Sequence, residues 1–374
     1  MKPIQMVDLH SQYLKIKSEI DSGIFDVIEQ SAFVKGQKVK DFQQNLARYL
    51  GVKHVIAVGN GTDALQIALM SLGLKFDDEV ITPAFTFIAT AEAVAMLGLK
   101  PVLVDVDFNT FCIDIQMLEK AITPKTKAIV PVHLFGQNAN MEEILRIARK
   151  HNLFVVEDAC QSMGSQCIFK NGGQKHSGTM GTIGCTSFFP SKNLGCYGDG
   201  GAVFTNDDAL AEKIIMIANH GMKTRYYHDI VGVNSRLDTI QAAVLDTKLK
   251  YLDNYINARQ KAAEFYNNAF KDCEKIITPK IADFTTHSFH QYTLKLIDVD
   301  REELIEKLKS EGISTMIYYP IPLHQQKAYR SERYKDGDFP VAEKLAKMVI
   351  SLPMHTELDE EQLKHITKHV LENV

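Results

Sequence analysis

One lysine in this chain is placed to do chemistry. Lys192 sits in Thr186-Ser187-Phe188-Phe189-Pro190-Ser191-Lys192-Asn193-Leu194-Gly195, between an aromatic, strand-like run and the glycine-rich Gly198-Asp199-Gly200-Gly201. A lysine held on such a turn, flanked by small residues, can be presented to an aldehyde rather than to water. Desolvation lowers the ammonium pKa and frees the amine to form a Schiff base. Taken alone, Lys192 reads as an ordinary surface lysine. Two upstream segments change that reading.

The first is Leu153-Phe154-Val155-Val156-Glu157-Asp158-Ala159-Cys160-Gln161. Its run of apolar residues, two of them β-branched, predicts a buried parallel strand. Asp158 then stands at the strand's carboxyl end, where ligands bind in open α/β sheets. Pyridoxal phosphate requires an acid there, because a carboxylate against the pyridine nitrogen keeps the ring protonated and electron-withdrawing. A helix N-cap is the plainer role for the same residue. The second segment is Gly59-Asn60-Gly61-Thr62-Asp63-Ala64-Leu65, following the strand His54-Val55-Ile56-Ala57-Val58 and opening an amphipathic helix. Free N–H groups at the start of that helix suit a phosphate. A tight turn is the plainer alternative, with Asn60 and Asp63 as caps.

Together and in this order, these segments closely resemble the DegT/DnrJ/StrS family of pyridoxal-phosphate-dependent nucleotide-sugar aminotransferases. The resemblance extends from Val7-Asp8-Leu9 through Val80-Ile81-Thr82-Pro83-Ala84-Phe85-Thr86-Phe87 and Pro131-Val132-His133-Leu134-Phe135-Gly136. It continues through Gly232-Val233-Asn234-Ser235-Arg236-Leu237-Asp238 to Tyr319-Pro320-Ile321-Pro322-Leu323 and Ser351-Leu352-Pro353-Met354. The resemblance implies the aspartate aminotransferase-like fold (fold type I): a large domain with a mostly parallel sheet and a smaller α+β C-terminal domain. It implies pyridoxal 5'-phosphate as cofactor, passing through the pyridoxamine form during the cycle. Lys192 and Asp158 would be catalytic, with Asp158 on the pyridine nitrogen. Gln161 would contact the ring oxygen, Phe87 would stack on the ring, and Gly61, Thr62 and Ser187 would hold the phosphate. Core packing is the alternative for Phe87. Asn234 would come from the neighbouring subunit, so a homodimer with shared sites is the expected minimum assembly.

The acceptor is read from Tyr226-Tyr227-His228 and Tyr318-Tyr319-Pro320, which look like segments of members that aminate the 3-position of nucleotide-linked ketosugars. The likeness is greatest to enzymes acting on UDP-linked 2-acetamido-3-keto-hexuronates, with glutamate the family's usual donor and a surface polysaccharide such as lipopolysaccharide the destination. Those members carry His-Tyr-Pro where this chain has Tyr318-Tyr319-Pro320. Tyrosine keeps a hydrogen-bonding tip but carries no positive charge near neutral pH, so a neutral dTDP- or UDP-linked keto-deoxyhexose stays open as acceptor. Arg236 could grip a carboxylate or diphosphate bidentately, or form a structural salt bridge. Tyr318, Tyr319 and His324 complete the expected substrate contacts, although His324 could equally be a surface residue.

Strand-like runs alternate with helical patterns through the first half of the chain. The strands are His54 to Val58, Glu79 to Thr82, Pro101 to Val106, Ala128 to Val132 and Phe154 to Glu157; the helices are Thr62 to Leu72, Ile88 to Leu97, Ile115 to Ala121 and Met141 to His151. Such alternation predicts a mostly parallel sheet covered on both faces. Gly184 to Phe189 and Gly201 to Thr205 add strands around Lys192. A long helical region, Ser235 to Ala269, leads to a mixed pattern ending in the helix Asp359 to Glu372. The expected division is 1–251 for the cofactor-binding domain and 252–374 for the smaller one.

Composition narrows the partners. A net charge of -4, from 42 basic and 46 acidic residues, leaves no basic excess for nucleic acid. No apolar run is long enough to span a bilayer and no signal pattern is evident, so a cytoplasmic location is expected. The six cysteines form no C-x-x-C pair and no His-Cys ligand spacing, and no metal is expected. Two rivals share the fold. A dehydratase would replace Lys192 with histidine or hold an iron–sulfur cluster, and a regulatory or binding protein would do without turnover.

Overall fold

The computed structural model describes residues 4–330 and 333–374. Seven strands form the main sheet: β1 (His54–Val58), β2 (Glu79–Pro83), β3 (Lys100–Val104), β4 (Thr126–Ile129), β5 (Phe154–Asp158), β6 (Ile183–Ser187) and β7 (Gly201–Thr205). Their order is β1-β7-β6-β5-β4-β2-β3. From β6 to β3 every pairing is parallel, whereas β7 runs antiparallel to both β6 and β1. Successive side chains of a strand point to opposite faces, and the cores follow that rule. Val80, Ala128 and Val156 pack under the helices Gly61–Ser71 and Asp208–Ile217, while their neighbours Ile81, Ile129 and Val155 pack against Ile144 and Ile147 of the helix Met141–His151. Both faces are therefore covered, which is why these strands read as continuous apolar runs.

The expected helix over 235–269 is two helices, Thr239–Leu249 and Leu252–Phe270. Between them the Lys250 and Tyr251 N–H groups bond three residues back, to Thr247 and Lys248, and the tighter turns redirect the chain. Residues 235–238 lie outside the first helix, with Asp238 as its extended N-cap. An N-terminal helix absent from the sequence reading, Gln37–Leu50, buries Val39, Phe42, Leu46 and Leu50 at helical spacing and is closed by Gly51 at φ 65°. It packs with the helix Thr239–Leu249 against Phe188, Leu194 and Cys196, the apolar flanks of the Lys192 turn.

A second, three-stranded antiparallel sheet joins β8 (Ile276–Ile277), β9 (Tyr292–Leu296) and β10 (Val349–Leu352), in that order. Tyr266, Tyr292, Leu304, Leu308, Ile366 and Val370 form its core with the helices Leu252–Phe270, Arg301–Ser310 and Glu360–Asn373. Ile4 also enters this core, so the chain's beginning returns to its end. Among the described residues, no helix is long and apolar enough to cross a membrane.

Candidate active site

A cavity of about 910 Å³ opens at the carboxyl ends of β1, β2, β5 and β6. It gathers Gly61, Thr62, Phe87, Asp158, Gln161, Ser187 and Lys192, together with Tyr318 and Tyr319. The sheet supplies the floor, and residues around β9 and the 317–319 segment supply the far wall.

Each group is held by an identifiable local device. Asn60 is the extended N-cap of the helix Gly61–Ser71 and accepts from the Asp63 N–H at 2.8 Å, as the capping reading expects. Gly61 is required by proximity: a Cβ there would lie 2.7 Å from Ser187 Cβ and 3.1 Å from Cys160 Sγ. The helix start, Thr62 and Ser187 thus converge where N–H groups and hydroxyls can meet an anion. Asp158, the last residue of β5, is 5% exposed and accepts from Thr90 Oγ1 at 2.8 Å and from the Cys160 N–H at 3.2 Å. It has no ion-pair partner among the described residues. Its neighbour Glu157 points to the opposite face and is spent structurally, accepting from His133 and from the Gly178, Met180 and Gly181 N–H groups. The Ala139 N–H donates to His133 Nδ1, so Nε2 carries the proton given to Glu157.

The Lys192 turn is tied on several sides. Lys192 N–H donates to Phe189 O at 2.8 Å, and Cys196 N–H to Phe188 O at 2.8 Å. Asn193 Nδ2 reaches Met163 O and Ser288 O, while Lys248 Nζ donates to Gly195 O at 2.8 Å. Lys192 Nζ itself lies 3.4 Å from His290 Nε2. Burial pushes the Lys192 pKa down, opposed by the nearby Cys160 and Asp158. Burial also pushes His290 well down, helped by Lys192 and Arg259, so the imidazole beside the amine is neutral. The Cys160 thiol is pushed far up by desolvation and then by Asp158, which keeps it protonated.

Several expected contacts fall differently. Gln161 lies in the turn after β5; its Oε1 accepts from the Phe135 N–H at 3.0 Å and its Nε2 donates to Tyr319 Oη at 2.9 Å. Phe87 is 55% exposed on the cavity wall, so it is not a core residue. His324 is corrected outright: it is buried, paired with Glu343 at 3.0 Å and packed on Phe339, and it does not line the cavity. Asn234 and Arg236 do not line it either. Between them Ser235 turns inward, its Oγ accepting from the Gly59 N–H and donating to Asp63. In an extended segment that sends both neighbours the other way; Asn234 is exposed, and Arg236 is half-buried with no ion pair or side-chain hydrogen bond among the described residues. The sequence reading missed Thr90, Thr86 and His290, which carry no local motif.

These residues fit pyridoxal phosphate. Asp158 is a buried carboxylate lacking a cation, Gly61 leaves a cradle that a Cβ would fill, and the buried polar atoms Thr86 Oγ1 and His290 Nδ1 have no partner beside the cavity. A flat cationic heterocycle carrying a phosphate answers each of these features.

Comparison with known proteins agrees. The sequence profile of the DegT/DnrJ/EryC1/StrS aminotransferase family matches residues 14–371. A "pleiotropic regulatory protein" of Geobacillus stearothermophilus is 48% identical over 371 residues, covering 99% of this chain and 98% of that protein. The UDP-2-acetamido-2-deoxy-3-oxo-D-glucuronate aminotransferase of Pseudomonas aeruginosa is 48% identical over 97% of this chain and 98% of its own. A UDP-N-acetyl-3-dehydro-alpha-D-glucosamine 3-aminotransferase of Acidithiobacillus ferrooxidans is 44% identical, covering 97% of this chain and 96% of its own. Among solved structures, S. venezuelae DesV in complex with a ketimine intermediate superposes with a TM-score of 0.95 at 37% identity, covering 100% of this chain and 98% of that one.

Proposed function

Because the chain belongs to the DegT/DnrJ/EryC1/StrS aminotransferase family, and is a pyridoxal-phosphate-dependent nucleotide-sugar aminotransferase, we propose that its acceptor is a UDP-linked 2-acetamido-3-keto-hexuronate. The amino group would come from an amino acid, L-glutamate, and the product would serve a cytoplasmic route to surface polysaccharide. The observation that carries this reading is the cavity that joins Lys192, Asp158 and the Gly61–Ser187 cradle in a chain so similar to a 3-oxo-glucuronate aminotransferase. A regulator without turnover has no use for a desolvated lysine facing a buried, cation-free carboxylate.

In this reading Gly61, Thr62 and Ser187 would hold the cofactor phosphate, and Phe87 and Gln161 would hold its ring. When bound, pyridoxal phosphate supplies an aldehyde to carry nitrogen and a ring that accepts the electron pair of a broken C–H bond. Asp158, kept in place by Thr90, keeps negative charge against the ring nitrogen. Lys192 Nζ, favoured in its neutral form by burial, moves the proton on and off the substrate carbon. The outward-turned Asn234 supports a homodimer, in which it reaches the partner's phosphate. The chain divides at 251/252 into a cofactor-binding and a smaller domain, a division supported by the helix break at Lys250–Tyr251 and the second core.

Arg236 tests the sugar. With Tyr318 in place of the family's histidine, Arg236, turned away from its own chain's cavity like Asn234, is the proposed cation for a uronate carboxylate bound in the partner's site of the homodimer. Losing one buried charge-assisted contact costs about 2–5 kcal/mol, so Arg236→Ala should lower kcat/KM for the 3-keto uronate by roughly 30-fold or more. The loss should be much smaller for the matching sugar with a neutral C6. Equal losses would assign Arg236 to the diphosphate or to structure, and turnover of neutral sugars alone would remove the uronate reading.

A further inference from the structure

Outside the cavity lining, two helices that pack on the second core bring together three metal-ligating side chains at the surface, a His pair at i, i+4 and a glutamate distant in sequence. Glu311 ends the helix Arg301–Ser310, and His365 and His369 stand four apart on the helix Glu360–Asn373. One ligand atom from each lies within 4.8 Å of the others. We propose that these three residues form a binding site for a divalent transition-metal ion of the zinc type, with water completing the coordination.

The scaffold is rigid where it needs to be. Residues four apart on a helix share a face, so one ion can bridge the two imidazoles, whose rings are 4.5 Å apart by centroid. Ile366 and Val370, each one position beyond a histidine, are fully buried against Leu304 and Leu308, which locks the two helices together. Glu311 faces the pair because the first helix ends there and Gly312 turns the chain at φ 74°. His365 Nε2 donates to Glu311 O at 3.0 Å. His369 Nε2 lies 3.7 Å from Glu311 Oε2, while its Nδ1 lies 3.8 Å from Glu372 Oε2. That 3.8 Å exceeds a hydrogen bond; with an ion bound, a rotation of Glu372 would bring its carboxylate to the far nitrogen, where such a partner fixes a ligating histidine's orientation and raises its basicity.

Ligands at about 2.0–2.1 Å on a tetrahedral ion lie about 3.4 Å from one another. The His369–Glu311 separation is already close to that value, and side-chain rotation closes the rest. Two imidazoles and one carboxylate suit zinc, nickel or copper, whereas magnesium and calcium demand oxygen ligands. None of the three groups lines the Lys192 cavity, so the ion would clamp the last helix to its neighbour and take no part in transamination. The absence of a metal in the sequence reading follows from the 54 residues separating Glu311 from His365.

The test uses the cofactor-loaded protein, stripped with EDTA and titrated by calorimetry with zinc chloride, and separately with magnesium chloride. The expected result is one zinc per chain with a dissociation constant in the micromolar range or tighter, a raised Tm, and no response to magnesium. His365→Ala and His369→Ala should each weaken zinc binding by about 100-fold, and Glu372→Gln by about 10-fold. Circular dichroism and Tm without metal confirm that the variants fold, and His369→Gln is a second, more conservative variant. Zinc binding unchanged in the histidine variants, or a millimolar constant in the unaltered protein, would overturn the proposal.

Discussion

Lys192 and Lys248 lie on adjoining elements and are both drawn out of water, yet only one faces a cavity. Burial pushes Lys248 down to about 8, opposed only by the nearby Cys196. Its amine donates to Gly195 O and sits 4.4 Å from the centre of the Tyr197 ring. Lys295 repeats the pattern: burial pushes it to about 8, it donates to Phe108 O at 3.0 Å, and it lies against the Phe108 and Phe111 rings. Lys192 has one long contact, to a neutral imidazole, and otherwise opens onto the cavity beside Asp158. Desolvation therefore lowers three amines, but access separates a reactive lysine from a structural one. A lowered lysine pKa is weak evidence for catalysis until the space around the amine is known.

Removing each lysine should separate the two kinds. Lys192→Ala is expected to reduce kcat by about 1000-fold or more, with the fold and Tm retained, because no neighbouring side chain can replace the amine. Steady-state turnover near that of the unaltered enzyme would erase the distinction between Lys192 and its sealed counterparts.

Lys248→Met should act in the opposite proportion. It leaves Gly195 O without its donor, a cost of about 1–3 kcal/mol, and loosens the turn that carries Lys192, lowering kcat by up to about 100-fold. The pH dependence identifies its cause. Lys248 titrates near 8 in the folded chain and at its ordinary 10.5 when unfolded, so between these values the unfolded state binds more protons and stability rises with pH. Urea unfolding from pH 8 to 10 should show that rise flattened in Lys248→Met, with the part due to Lys295 remaining.

The histidines extend the comparison with a smaller effect. His290 faces the cavity, whereas His287 and His355 are sealed, and burial pushes them to about 3 and about 4. Each uses Nδ1 to accept a backbone N–H, from Phe289 and Glu357 respectively, which requires a neutral ring. The unfolded chain takes up protons at these positions below about 6.5 while the folded chain does not, so stability is complete above that pH and falls as pH drops toward 4. Each ring contributes about 1.4 kcal/mol per pH unit in that window. His355→Gln should shallow the acid slope by that amount in urea titrations at pH 6, 5.5 and 5; an unchanged slope would place the acid sensitivity elsewhere.

The sequence was informative where neighbouring residues carry the pattern. Strands β1 to β7 match their apolar runs to within a few residues, because both faces of the sheet are covered and the mid-strand positions pack into apolar cores. The sequence over 235–269 reads as one helix because nothing in Lys250-Tyr251 marks a break; in the fold the second helix starts on the core of the first, through Leu252 and Ile256, and runs on into the second core through Ala262, Tyr266 and Phe270. His324 looked available beside its proline turn, yet Glu343 and Phe339 claim it from further along the chain.

From the sequence alone came Lys192 on its turn, Asp158 at a strand end and glycine at position 61, each dictated by residues within a few positions. The tertiary structure alone decided which of these groups meet and what else faces them. Thr90 reaches Asp158 across 68 residues, and His290 reaches Lys192 across 98. Ser235 turns inward and thereby sends Asn234 and Arg236 away from their own chain's cavity. The physical reason is that side-chain direction follows strand register and helix packing, set by the whole core, whereas residue type and short spacing report only the local backbone.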